Sequence, residues 1–174
     1  ILDAACGGGR YVLETLAALR DIPATATLRD YKQANLEVAE KHRADLKLDG
    51  VTIVQADAFD RTSFASLDPR PTIGIVSGLL ELFPNNDAAR ACLAGFAEAI
   101  EPGGVLIYTG QPWHPQLRFI AGVLRNREGQ PWVMRRRTQA EMDELVRDAG
   151  FEKETQAIDP WGIFTVSRAR RVAR

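Results

Sequence analysis

Cysteine is nearly missing from this chain: Cys6 and Cys92 are the only two in 174 residues. Two thiols make neither a paired zinc spacing nor a disulfide framework, so no metal centre is expected and a reducing compartment, the cytoplasm, is the simpler location. Neither sign of charge is in excess. Lys and Arg number 22 and Asp and Glu 23, a net charge of -1. That argues against nucleic acid or an anionic membrane as an obligate partner, while leaving room for a local patch. Aromatics are few, at 7%. No apolar run approaches the roughly 18 residues of a bilayer span, and no signal peptide is visible. No internal repeat, low-complexity tract or Gly-x-Ser-x-Gly nucleophile elbow can be read. The chain also lacks an initiator Met and opens inside what reads as a central strand. The expectation is a single domain over residues 1–174 that lacks its N-terminal part within a longer polypeptide.

What is present is concentrated at the start, in Ile1-Leu2-Asp3-Ala4-Ala5-Cys6-Gly7-Gly8-Gly9-Arg10. Two apolar residues lead to an acid, then three glycines, then an apolar-periodic run over Tyr11–Leu19. This is a buried strand, a tight turn and a helix start. Glycines let backbone approach a ligand closely, and a new helix offers unpaired N–H groups toward it. The dinucleotide fingerprint needs a third glycine, which would fall at Val12, so a nicotinamide oxidoreductase is disfavoured.

The chain then alternates. A strand over Ala24–Leu28 ends at Arg29-Asp30-Tyr31, and Asp30 lies 21 positions after Gly9. That is near the spacing of the acid that accepts ribose hydroxyls in such folds. Asp30 could equally cap the helix over Lys32–Leu48. His42 reads as a solvated residue on that helix. A β-branched strand, Val51–Val54, runs into Gln55-Ala56-Asp57-Ala58-Phe59-Asp60. Thr62–Pro71 is a loop with a weak helical turn. Thr72–Leu80 is an apolar fourth strand whose exit carries Ser77, Gly78 and Glu81 toward the crevice where open α/β sheets place ligands. Leu82 and Phe83 read as anchors for the next helix. Asn86 and Asp87 can open that helix, which runs to about Ile100, and Cys92 reads as its packing residue. Glu101-Pro102-Gly103-Gly104 stops it before a fifth strand, Val105–Thr109.

The loop Gly110–Gln116, with Trp113 and His114, is the best candidate for an acceptor site. His114 has the pKa range of a general base, or it merely bonds backbone. Leu117–Leu124 reads as a helix and Asn126–Gln130 as a turn. Arg135-Arg136-Arg137 could hold an acidic group but reads more readily as a solvated or ion-paired run. Thr138–Glu141 is a capping box for a helix ending near Gly150. Two strands, Phe151–Ile158 and Trp161–Ser167, meet at Asp159-Pro160, and Ser167–Arg174 reads as a solvated basic tail.

An acid and a glycine turn after the first strand, Asp30 after the second, the Asp57 segment after the third and the Pro-Gly-Gly turn together resemble the class I S-adenosyl-L-methionine (SAM) methyltransferases. Ala5 stands where their first motif glycine would be. The segments Gly78–Pro84, Gln111–Gln116 and Trp161–Val166 look like a bacterial group of methyltransferase domains, often preceded by an α/β-hydrolase domain in one polypeptide. The resemblance implies a doubly wound α/β fold with a mostly parallel seven-stranded Rossmann-like sheet and a C-terminal antiparallel hairpin. It implies SAM as cofactor, with Asp3, Ala5, Cys6, Gly7, Gly9, Asp30, Tyr31, Asp57, Ala58, Phe59, Ser77 and Gly78 as the binding set. The reaction implied is in-line displacement of the sulfonium methyl toward a small-molecule or lipid-like acceptor. His114 and Glu81 are the catalytic candidates. A SAM-binding regulatory module without chemistry, or an aminopropyl or other non-methyl transferase on the same fold, are the alternatives.

Overall fold

The computed structural model describes residues 1–126 and 129–172. Seven strands form one sheet in the order β3-β2-β1-β4-β5-β7-β6. They are β1 (Leu2–Asp3), β2 (Ala26–Asp30), β3 (Val51–Gln55), β4 (Ile73–Val76), β5 (Val105–Gly110), β6 (Phe151–Ile158) and β7 (Thr165–Arg171). The first five are parallel; β7 runs antiparallel between β5 and β6. The helices are α1 (Arg10–Ala18), α2 (Gln33–Asp45), α3 (Thr62–Ala65), α4 (Asn86–Ala99), α5 (Leu117–Val123) and α6 (Gln139–Asp148), with a 3₁₀ turn at Leu80–Leu82. The doubly wound sheet and its C-terminal hairpin are as the sequence pattern predicts.

Two apolar layers cover the sheet, as parallel strands buried on both faces require. One joins Val12, Leu13, Ala26, Leu28, Leu48 and Val51 beneath α1 and α2. The larger joins α3, α4 and α6 to the other face around Phe64, Phe96, Leu106, Tyr108 and Val146. Chain order reverses between β1 and its neighbour β4, which opens a crevice at the carboxyl ends of these strands.

Several boundaries differ from the sequence reading, each for a local reason. β4 ends at Val76. Gly78 then takes a left-handed turn, φ 68°, and donates its N–H to Thr109 Oγ1 at 2.8 Å. The stretch Ser77–Leu80 therefore leaves the sheet. Asn85, not Asn86 or Asp87, caps α4: its side chain accepts from Asp87 N at 2.9 Å and Ala88 N at 3.2 Å. The hairpin turn is longer than an Asp159-Pro160 corner. The Asp159 carboxylate accepts from Ile163 N at 2.7 Å and Phe164 N at 2.8 Å, which delays β7 to Thr165. β7 then continues through Arg171, so most of the supposed tail is sheet. Arg127 and Glu128 of the expected turn, and Ala173 and Arg174, lie outside the described residues. Among the described residues no helix is long and apolar enough to cross a membrane.

Candidate functional site

The turn after β1 is built around Asp30. This carboxylate, 8% exposed at the end of β2, accepts from Gly7 N at 2.9 Å, Lys32 N at 2.8 Å and Asn35 Nδ2 at 3.0 Å. One acid thus ties the glycine turn to the entry of α2. It is not that helix's cap; the cap position is Lys32, which has no side-chain cap bond. One oxygen takes two of the three bonds and the other takes one. A carboxylate offers about four lone-pair sites, so one acceptor site remains.

The glycines are not equivalent. A Cβ on Gly9 would stand 2.8 Å from Leu28 Cδ1, so Gly9 lets α1 sit directly on β2. Gly7 and Gly78 have φ of 54° and 68°, and a Cβ on either would meet nothing within 4 Å. These two leave open room on the exits of β1 and β4, where a ligand can lie against bare backbone. Asp3 closes β1 beneath them, 6% exposed, and accepts from Ala5 N at 3.3 Å. Burial, opposed by that bond and reinforced by the Asp30 charge, pushes its carboxyl up to about 7. Burial and both acids push the Cys6 thiol up to about 12, so it is no nucleophile; its Sγ donates to Gly7 O.

After β3, Asp57 accepts from Phe59 N at 2.9 Å, which curls the loop and sets Phe59 edge-on to Phe83 at 4.6 Å between centroids. Ala58 is buried beneath. The loop is steadied by Arg29 of β2, 2% exposed, which donates to Ser63 and lies 4.5 Å over the Phe64 ring. Tyr31 is 56% exposed at the rim. The exits of β1, β2, β3 and β4 thus bring Asp3, Ala5, Cys6, Gly7, Gly9, Asp30, Tyr31, Asp57, Ala58, Phe59, Ser77 and Gly78 to one edge of the sheet.

Glu81 lies on the 3₁₀ turn beyond β4 and is 6% exposed. Burial raises its carboxyl above the usual range, against the opposing pull of its own backbone N–H and of Arg137. It shares a void of about 10 Å³ with Thr109, Gln111 and Arg137. Among the described residues, the buried Gln111 Oε1 has no hydrogen-bond partner there. His114 is half-buried in the loop after β5, and its Nδ1 accepts from Gln116 N at 3.1 Å. A neutral imidazole bonded this way carries its proton on Nε2, so in this state it donates.

Two residues escaped the sequence reading. Arg137 is not solvated: it is 3% exposed and donates to Leu80 O at 2.6 Å, Phe83 O at 3.0 Å, Asn85 O at 2.8 Å and Asn86 Oδ1 at 2.8 Å. It fastens the whole turn that carries Glu81. Gln111 was part of a named loop, but nothing in its local pattern marked it as buried. A cavity of about 470 Å³ lies at the opposite edge, where Ile1, Leu16, Thr25 and Pro71 line it. It is remote from the acids and glycines, whose chemistry identifies the carboxyl edge as the candidate site. Among the described residues no group of three His, Cys, Asp or Glu could hold a metal ion.

Comparison with known proteins gives the chain's family and its fold relatives. The family model described as "Putative methyltransferase" matches residues 1–171. Uncharacterized protein YnbC of Escherichia coli (strain K12) is 56% identical over 176 residues, covering 98% of this chain and 29% of that protein. The chain therefore spans less than a third of this relative. A SAM-dependent methyltransferase from Methanosarcina mazei shares the fold, with TM-score 0.74 and 19% identity, over 99% of this chain and 92% of that one. So does magnesium protoporphyrin IX methyltransferase from Synechocystis PCC 6803, solved with bound SAH, with TM-score 0.74 and 19% identity, over 98% of this chain and 72% of that one.

Proposed function

Because the chain belongs to the family described as "Putative methyltransferase", we propose that it binds SAM at the carboxyl edge of β1, β2 and β3 and transfers its methyl group to a small-molecule or lipid-like acceptor. The observation that carries this reading is the Asp30 junction. One buried acid holds the Gly7 turn and the start of α2 while keeping an acceptor site for a ribose hydroxyl. The residues fit the adenosyl group: the open Cβ positions of Gly7 and Gly78 form a cradle that side chains would fill.

When bound, the sulfonium supplies a methyl group already activated by its positive charge. The protein's task is then positioning and exclusion of water. Asp57 would accept from the adenine amino group and Phe59 would cover the ring, with the buried Ala58 supporting the loop beneath. Asp3, Ala5, Cys6 and Gly9 shape the turn, Tyr31 borders the ribose, and Ser77 and Gly78 line the reaction side. Glu81 takes the acceptor's proton where one must leave; burial has already raised its carboxyl, as suits a base. His114, donating through Nε2, orients the acceptor, and acts as a base only if Gln116 N releases Nδ1.

The cytoplasm is the proposed location, and an upstream α/β-hydrolase domain the proposed companion. Support for the companion is that YnbC is more than three times the length matched here. Calorimetric titration with SAM, S-adenosylhomocysteine (SAH) and NAD tests the binding class: SAM and SAH should bind and NAD should not. A radiolabelled-methyl assay against metabolite and lipid extracts separates an enzyme from a regulatory module. Binding of NAD alone, or label transfer to no extract, would overturn the respective halves of the reading.

A further inference from the structure

The segment from Gln111 to Arg137 holds six arginines and one glutamate, in a chain whose net charge is -1. Two of the six are committed inside the fold. Arg137 grips the Leu80–Asn86 turn, and Arg135 donates to Pro84 O at 3.0 Å and to Glu141. Arg118, Arg125 and Arg136 are exposed.

The same segment exposes apolar surface. Leu117, Phe119, Ile120, Ala121 and Val123 make α5 apolar over most of its length, yet none of its residues is buried. Phe119 is 66% and Val123 54% exposed, one helical turn apart and so on one face. The chain then folds back along the helix end. Arg125 and Pro131 form an antiparallel bridge, and Trp132 N donates to Leu124 O at 3.1 Å. This sets Leu124, 44% exposed, beside the irregular segment that carries Val133, 56% exposed. Among the described residues no other element packs closely on α5. The arm is anchored at its base, where Arg135 N donates to Glu81 O at 3.0 Å.

A helix apolar around its circumference is ordinarily buried in protein or lies against lipid. Here the apolar face is interleaved with exposed arginines, whose planar forks match phosphate oxygens and whose stems can lie along acyl chains. An apolar protein face would not call for an excess of arginine. We infer that the α5 arm is a docking surface for an anionic lipid bilayer, with Phe119, Val123, Leu124 and Val133 entering the headgroup–acyl boundary and Arg118 and Arg125 meeting lipid phosphates. The inference rests on this surface alone and does not depend on what the crevice binds.

Flotation of the protein with vesicles tests it. The protein should rise with phosphatidylcholine vesicles containing phosphatidylglycerol, stay behind with phosphatidylcholine alone, and be released by high salt. Arg118→Glu with Arg125→Glu should weaken binding at least tenfold, and Phe119→Ser with Val123→Ser by a similar factor. All four positions are at the surface, so thermal midpoints and SAH affinity should not change. Three results would overturn the proposal: no flotation with either vesicle; equal flotation with both; or self-association in sedimentation that Phe119→Ser abolishes while vesicles bind nothing. A protein that floats but fails to bind SAH would overturn the functional reading and leave the docking surface standing.

Discussion

Replacing Asp30 with alanine removes two kinds of interaction that can be measured separately. Within the fold, Gly7 N, Lys32 N and Asn35 Nδ2 lose their acceptor. At about 1 kcal/mol for each such bond, the native state should lose about 2–3 kcal/mol. Toward the ligand, the one charge-assisted ribose bond for which Asp30 keeps a free acceptor site disappears. It is worth about 1.5–3 kcal/mol gross, and water recovers part of it. A net loss of about 1–2 kcal/mol corresponds to roughly five- to thirty-fold weaker binding. Urea unfolding gives the first number and calorimetric titration with SAH the second, on the same preparation. Asp30→Asn keeps one acceptor oxygen, so it should fall between wild type and alanine in both. A folded Asp30→Ala protein that binds SAH within about threefold of wild type would refute the ribose assignment. Unchanged urea stability would refute the idea that this acid ties the turn to α2.

Other outcomes follow from the same geometry. Burial raises the Asp3 carboxyl from its ordinary 3.8 to about 7, so between these pH values the folded chain holds a proton that the unfolded chain has released. Stability should therefore fall as pH rises from about 4 to 7 and level off above, by at most about 4 kcal/mol. Asp3→Asn should flatten that part of a pH series of urea midpoints; an unaltered slope would remove Asp3 as the cause. Gly7→Val should cost about 1–2 kcal/mol of stability for its left-handed φ, but reduce SAH affinity at least tenfold, because the side chain enters the open cradle. Unreduced affinity would place the ligand elsewhere. Arg137→Met strands three backbone carbonyls and Asn86, and should lower stability by about 2–4 kcal/mol, with Arg137→Lys recovering part. A loss under about 0.5 kcal/mol would show that the clamp carries little of the fold.

Local patterns made much of the sheet legible. Alternating apolar runs and breakers located all seven strands, and the Asp3–Gly9 turn showed where the crevice opens. Features depending on distant partners were hidden. Arg137 sits in a run of three arginines, and only the turn folding over it turns a surface pattern into a buried clamp. The apolar Leu79 and Leu80 extend the β4 pattern past its end, because Gly78 turns the chain out first and Leu80 is buried off the sheet. Local spacing marks Asp30 as a ribose acid or a helix cap; its bond to Gly7 N spans 23 positions and no local spacing announces it. Glu81 could be named from its place after β4, but its burial is set by Arg135 and Arg137, over fifty residues away in the chain.

The most direct test of the account is a crystal structure of the protein soaked with SAH. The account predicts density across the carboxyl ends of β1, β2 and β3, with a ribose hydroxyl within hydrogen-bond reach of Asp30 and the adenine beside Asp57 and Phe59. Density in the cavity between Leu16, Thr25 and Pro71 at the opposite edge, with the Asp30 side bare, would contradict it.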